Sequence, residues 1–355
     1  MRVAMLSRHE DPLDSRIYHK EAKSLQEAGH DVVIIQYVRA NGILKIEEGD
    51  HHVHFHPVAS SGGNKVLDMW KSTEKLAEAV CNEKPDVIHC HDLETLPSGV
   101  KALKKRKVPL VFDAHEDFHK IARQSSYIYG RWWSFVQKRC LPHVDRIVTV
   151  NEIMARVFRD HDPVVVKNYP PLWFGGLGSD RMREFYAPDD EAIILYHGCL
   201  NEARGPNVMR KIANRITEKY DAKFLFLVRI FDNVQIPQTE RIRVLNQVPW
   251  LQVPDYLRMA DIGFCAFNPT EKYRQATPVK IFECMLFGKP FVANEELPVV
   301  RQLINETSCG LPTRFEEDHL VRNLSTLIDD DKLRATLGEA GRAAVERKYN
   351  WERQA

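Results

Sequence analysis

Apolar positions in this chain fall in short runs rich in β-branched residues, separated by stretches with helical spacing. In the first half the runs are Val3–Leu6, Asp31–Gln36, Asp86–His89, Val108–Phe112, Arg146–Val150 and Val164–Val166. Between them, Arg16–Ala28, Leu67–Val80, Leu96–Leu103 and a long segment ending near Cys140 carry the spacing of one helical face. Apolar strands alternating with helices predict a parallel sheet covered on both faces, because each parallel strand needs a crossover that then shields it. The first half therefore reads as a Rossmann-like domain.

The pattern then restarts. Ala192–Tyr196, Lys223–Val228, Asp261–Cys265 and Pro290–Ala293 read as strands, with helices through Met209–Ile216 and over Val279–Phe287, Asp318–Ile328 and Lys332–Lys348. Lys167–Gly178 (KNYPPLWFGGLG) concentrates Pro, Gly and aromatics, which interrupt regular structure. The expected organisation is an N-terminal Rossmann-like domain over 1–168 and a linker over 169–190. A second Rossmann-like domain follows over 191–340, then a C-terminal helix over 341–355 that could cross back to the first domain. The fold class is α/β, with two doubly wound domains facing across a cleft, where such sheets bind ligands at their carboxyl ends.

Length and composition agree with this picture: 355 residues suit two domains at about 150 residues each. Lys and Arg total 50 against 49 Asp and Glu, a net charge of +1. No global basic field recruits nucleic acid, so an anionic ligand must be held by local groups. The 7 cysteines are scattered and form no C-x-x-C pair, which argues against a disulfide framework or thiolate zinc site and for a reducing compartment. Arg8, Glu10 and Asp11 break the apolar core that a signal peptide would need. The expected location is cytoplasmic, with room for peripheral contact at the inner membrane surface.

Two segments of the second half can build an anion site from a helix N-terminus plus cations. One is Tyr196–Gly205, a strand end and helix start that carries Arg204. The other is Thr277–Pro290, where Pro278 suits the first helical position, Lys280 lies in the first turn and Glu283 follows on the same face. A cation in a first turn is disfavoured by the helix dipole unless an anion lies nearby. A carboxylate one turn on can accept hydrogen bonds from two ribose hydroxyls. The competing reading of Lys280 and Glu283 is a solvated helical pair.

The Thr277–Val292 segment resembles the P-x-K-x-x-E-x-M-x-x-G-K-P-x-V signature of GT-B glycosyltransferases, in particular the retaining family-4 group. Asp14–Arg16, Glu21–Leu25, Ala28–Val32, Pro85–Asp92, Asp113–Glu116, Arg146–Glu152 and Val253–Phe264 look like further segments of that family in the same order. The resemblance implies transfer of a sugar from a nucleotide-diphosphate donor, UDP- or GDP-linked, to an acceptor hydroxyl with retention at the anomeric carbon. It implies no metal or other cofactor. The acceptor would be a glycan, a lipid-linked or glycolipid molecule, or a small molecule, as in polysaccharide biosynthesis.

By position, Glu283 would bind ribose, Arg204 the diphosphate, and His115 would sit beside the transferred sugar. Arg16 would reach the phosphates or the acceptor, and His91 would line the acceptor side. Gly198 matches the family's glycine, but the arginine that commonly follows it is here Cys199, and the family's first glutamate is here Gln275. Lys280 and backbone N–H groups near Ala276 and Thr277 are expected to compensate, and Arg229 is placed to replace the missing cation. Cations aimed at the diphosphate favour the transition state over the ground state, because negative charge grows there as the bond breaks.

Two alternatives follow. Cys199 and Gln275 would suit a degenerate sugar-nucleotide-binding scaffold. A sugar-nucleotide 2-epimerase shares the layout, but the P-x-K-x-x-E pattern speaks against it. The lack of a G-x-G-x-x-G after the first strand disfavours a nicotinamide dehydrogenase. Asp160-His161-Asp162 has the spacing of a metal-binding D-x-D yet follows a helix, which suits a loop. His52, His54 and His56 alternate as on one strand face, where a polar face is expected before a zinc site. Tyr127–Trp133 mixes aromatics and cations, with Lys138, Arg139 and Lys101–Lys107 beyond. That composition fits an anionic membrane, a lipid-linked acceptor, or ordinary helix packing.

Overall fold

The structure, a computed structural model, describes residues 1–9, 11–38, 53–60, 65–118, 123, 126–246, 248–274 and 276–355. The chain forms two compact units, Met1–Asn168 with Ala355, and Tyr169–Gln354.

The first unit is built on β1 (Arg2–Ser7), β2 (Asp31–Val38), β3 (Val53–Ala59), β4 (Val87–His91), β5 (Leu110–Ala114), β6 (Arg146–Thr149) and β7 (Val164–Val165). All pair in parallel, in the order β3-β2-β1-β4-β5-β6-β7. The alternation within β1 shows why the run is wholly apolar. Val3 and Met5 join one core with Ile17 and Tyr18, while Ala4 and Leu6 join the other with Leu76, Leu96 and Trp133. The expected helix over Arg16–Ala28 opens as a π-helical turn, Ile17–Ala22, and continues as α-helix over Lys23–Glu27. Its start is fixed by Asp14, whose carboxylate accepts from the amides of Arg16 and Ile17 at 2.8 and 2.9 Å.

The second unit holds β8 (Ala192–Leu200), β9 (Ala222–Ile230), β10 (Ile242–Asn246), β11 (Ile262–Phe264), β12 (Phe291–Asn294) and β13 (Gly310–Thr313). These are also parallel, in the order β10-β9-β8-β11-β12-β13. The stretch read as a linker is built into this unit: Tyr169 and Phe174 are buried in its core, and Arg258 donates to the carbonyls of Gly175 and Leu177. Proline and glycine here end regular structure without leaving the core.

The helix Val279–Leu286 lies almost wholly inside. Pro278 caps it as the residue before the first helical one, one position earlier in role than expected. Behind it packs the helix Asp331–Arg347. A Cβ on Gly338 would overlap the Gly288 carbonyl, and one on Gly341 would stand 3.2 Å from Met285 Cγ. Trp351 is buried in the same unit and donates its backbone N–H to the Pro170 carbonyl at 3.0 Å.

In each sheet the strand order reverses direction once, between β1 and β4 and between β8 and β11. Those switch points are where open α/β sheets hold ligands, beyond the carboxyl ends of the strands.

Candidate functional site

At the switch point of the second unit, β8 ends in Tyr196-His197-Gly198-Cys199-Leu200. Gly198 takes φ +107°, a conformation that favours glycine, and a Cβ there would lie 3.7 Å from the Lys280 ammonium. Lys280 and Glu283 are both buried, so the solvated helical pair is excluded. The Lys280 ammonium sits 3.6 Å over the Tyr196 ring. Burial, reinforced by the nearby Arg204, pushes its pKa down to about 7.

Arg204 ends the short 3₁₀ turn Glu202–Arg204 just before the helix Pro206–Lys219. Asn201 fixes that turn by accepting from the Arg204 amide at 3.1 Å and from the Tyr273 hydroxyl at 3.3 Å. The guanidinium lies 4.9 Å over Tyr273 and 5.1 Å over Phe267. Burial opposes its charge, but Tyr196 and Tyr273 offset this and raise its pKa. Among the described residues no carboxylate pairs with Lys280 or Arg204, and Lys280 Nζ and Arg204 Nε lack hydrogen-bond partners. A buried and a half-buried cation with no carboxylate partner among the described residues form a receptor for an anion.

Glu283 is gripped from two sides. His197 Nε2 stands 2.9 Å from Oε2, and the Trp250 indole N–H donates to Oε1 at 3.0 Å. Trp250 in turn stacks on Phe174, with ring centroids 4.2 Å apart and planes 9° from parallel. Sequence reasoning assigned no role to Trp250 or His197. A carboxylate has lone pairs to spare for two hydroxyl donors beyond these.

Arg229 pairs in register with Cys199, so strand pairing brings a cation next to the position where the family's arginine is absent. Its guanidinium lies 5.0 Å over the Phe231 ring. Thr277 is half-buried in the segment leading to the Val279–Leu286 helix, and Gln275 lies outside the described residues.

The first unit has its own polar cluster at the β1/β4 switch point. Arg16 is buried, with Nε 2.7 Å from Glu21 and Nη2 2.9 Å from Asp113, while Nη1 donates to the Val166 carbonyl at 3.0 Å. Its charge is thus spent inside the unit, where it positions two carboxylates. His115 lies between Asp113, at 3.1 Å from Nε2, and Asp92, at 3.3 Å from Nδ1. Burial works against the imidazolium, yet Asp92 and Asp113 hold the pKa of His115 well above its ordinary value. Burial would also raise Asp113, but His115 and Arg16 keep it well below the carboxylate range. His91 is interior, 3.7 Å from Asp113 and 3.8 Å from Glu21, and burial pushes its pKa down.

Glu21, His91, Asp113 and His115 each bring a ligand-type atom within 4.8 Å of the others. The Arg16 guanidinium already neutralises that cluster, bonding to both carboxylates, so these residues do not fit a metal ion well. An open depression of about 290 Å³ lies beside them, lined by Arg8, His9, His91, Asp92 and others. Elsewhere, His56 pairs with Glu83 at 2.7 Å, and His54 lies on the same strand, while His52 falls outside the described residues. Asp160 and His161 sit in an exposed 3₁₀ turn.

Two parallel-sheet units, one with a carboxylate and two cations at its switch point, define a protein of the two-domain, Rossmann-like α/β class. Comparison with known families gives the narrower assignment. The model for Glycosyltransferase Family 4 matches residues 15–169, and that for Glycosyl transferases group 1 matches residues 179–344. The chain belongs to the family-4-like glycosyltransferases of the GT-B type.

YtcC of Bacillus subtilis (strain 168) is 22% identical over 276 residues, which cover 69% of this chain and 61% of that protein. Among solved structures, sucrose-phosphate synthase from Thermosynechococcus elongatus has a TM-score of 0.75 at 15% identity, covering 99% of this chain and 96% of its own. Anabaena Alr3699/HepE in complex with UDP and glucose has a TM-score of 0.74 at 15% identity, covering 100% and 97%. At these identities the likeness speaks to the fold.

Proposed function

We propose that this chain is a retaining, metal-independent glycosyltransferase that moves a hexose from a nucleoside-diphosphate sugar to an acceptor hydroxyl of a glycan, glycolipid or small molecule. The observation that carries the reading is the pair Lys280, buried, and Arg204, half-buried, which have no carboxylate partner among the described residues and stand beside a carboxylate, Glu283, one helical turn on from Lys280. A diphosphate satisfies the first two, and ribose hydroxyls suit the third. Uridine is the favoured base, because HepE carries UDP-glucose in one of its structures.

In this reading the bond between the anomeric carbon and the diphosphate oxygen breaks, its electron pair leaving with the diphosphate. The acceptor oxygen bonds to the anomeric carbon on the same face, and the hydroxyl proton passes to the departing phosphate. Lys280 and Arg204, with Arg229 in the place of the family's missing arginine, stabilise charge that grows on the leaving group. Gly198 lets the donor approach the backbone, and Thr277 lies on the donor side. His115, kept protonated by its two aspartates, would sit beside the transferred sugar. His91 backs the acceptor side, and Arg16 acts by holding Glu21 and Asp113.

Titration calorimetry with UDP and GDP, followed by NMR of the anomeric product, tests the proposal. Binding that Glu283→Ala abolishes, and transfer with retention in the presence of a chelator, are the expected results. Nucleotide binding without sugar release over a broad acceptor panel would instead favour a non-catalytic binding subunit.

A further inference from the structure

The helix Tyr127–Cys140 turns an apolar stripe outward. Ile128 is 78% exposed, Trp132 39% and Phe135 62%, and at i, i+4 and i+7 they lie on one face. The opposite face, with Gly130, Trp133 and Cys140, is buried in the first unit. The outward aromatics are held in place. Trp132 packs edge-on against the buried Trp133 at 4.6 Å, and Tyr129 stacks on Trp132 at 6.3 Å with planes 9° apart. An exposed stripe of this kind on a folded helix marks a contact surface.

Charge selects the partner. The helix carries Arg131, Lys138 and Arg139, all exposed, and no acidic residue. The helix Leu96–Ala102 packs beside it, and the segment after that helix adds exposed Lys104, Lys105 and Lys107, again with no acid among them. In a chain whose net charge is +1, these two neighbouring segments are wholly basic. Apolar and aromatic side chains on one face, rimmed by Lys and Arg, are what a helix lying in the interface of an anionic bilayer presents. Among the described residues no helix is long and apolar enough to cross a membrane. Contact would therefore be at the surface.

We infer that the Tyr127–Cys140 face docks the first unit on an anionic lipid bilayer, with Ile128, Trp132 and Phe135 entering the headgroup boundary and the flanking cations meeting lipid phosphates. The inference stands apart from the transfer reaction and would hold for a non-catalytic subunit.

Co-sedimentation of the full chain with phosphatidylcholine vesicles, with and without phosphatidylglycerol, is the test. The wild type should pellet with the anionic vesicles, less so as salt is raised. The combined variant Ile128→Ser, Trp132→Ser, Phe135→Ser should lose about tenfold or more of that partition. A second variant, Lys104→Gln, Lys105→Gln, Lys107→Gln, should weaken it while abolishing its salt dependence in part. Circular dichroism and the thermal midpoint establish that each variant is folded. Wild-type protein that stays in the supernatant at low salt overturns the proposal, as does binding the apolar variant retains. So does a dimer, seen by sedimentation velocity, that the apolar variant dissolves, since the face would then join two copies of this chain.

Discussion

Trp250 donates its indole N–H to Glu283 Oε1 at 3.0 Å, across 33 positions of sequence. A hydrogen bond to a buried carboxylate contributes roughly 1.5–3 kcal/mol, and it fixes the carboxylate's plane. Trp250→Phe keeps the stack on Phe174 and removes only the donor. Nucleoside-diphosphate affinity should fall about tenfold, and the thermal midpoint by several degrees, since the carboxylate loses a partner in the free protein as well. Equal affinity by calorimetry would show that Trp250 only fills space.

Lys280, with a pKa near 7 in the fold and about 10.4 when unfolded, makes both stability and binding pH-dependent. Between those values the unfolded chain holds the proton and the folded chain does not, so this residue's burial costs most below pH 7 and the cost fades as pH rises toward 10. Lys280→Met should therefore stabilise the second unit by a few kcal/mol at pH 6 and by little at pH 10. A bound diphosphate restores the charge, so binding at pH 8 should take up a proton, read from calorimetry in buffers of different ionisation enthalpy. The Met variant should take up none at this site.

Arg204 meets charge that develops as the donor bond breaks. Arg204→Ala should lower kcat on the order of 10²-fold while altering donor KM far less. A variant that changed KM alone would assign Arg204 to ground-state binding.

Asp113 compensates Arg16 and His115 inside the first unit. Asp113→Asn leaves the buried guanidinium with one fewer carboxylate, a change that costs roughly 3–5 kcal/mol. Urea unfolding of the variant should show that loss. Because the Asp113 carboxyl is held low in the fold, its stabilisation is present at neutral pH and is lost as pH falls through its folded pKa. The difference from wild type should shrink accordingly in strong acid.

Much of this was readable from the chain, because parallel strands buried on both faces announce themselves as unbroken apolar runs. β1 and β9 extend the predicted run at both ends, and β2 and β8 at the C-terminal end alone. The strands that pattern reading passed over lie at sheet edges. β10 (Ile242–Asn246) interleaves polar residues, and β13 is Gly-Leu-Pro-Thr, whose glycine and proline read as a turn but are tolerated where one side of the strand is unpaired.

The site divides in the same way. Lys280 and Glu283 were legible because helical spacing puts them together. Trp250 was not, since no local pattern says that a 3₁₀ turn will aim an indole at a distant helix. Arg16 offered a cation near a loop, and only the fold reveals that Glu21, Asp113 and a carbonyl consume it.

Gly338 lies 55 positions beyond Glu283, yet it has a direct hold on the Val279–Leu286 helix. Because a methyl group there would overlap the Gly288 carbonyl, the backbone turn that ends Val279–Leu286 is pressed against Asp331–Arg347 with no layer of side chains between them. Tolerance to substitution should therefore be lowest at a surface with no chemistry of its own. Even alanine at Gly338 would act as a wedge that displaces Lys280 and Glu283 together, so mutational scans would flag a remote helix as though it were part of the site.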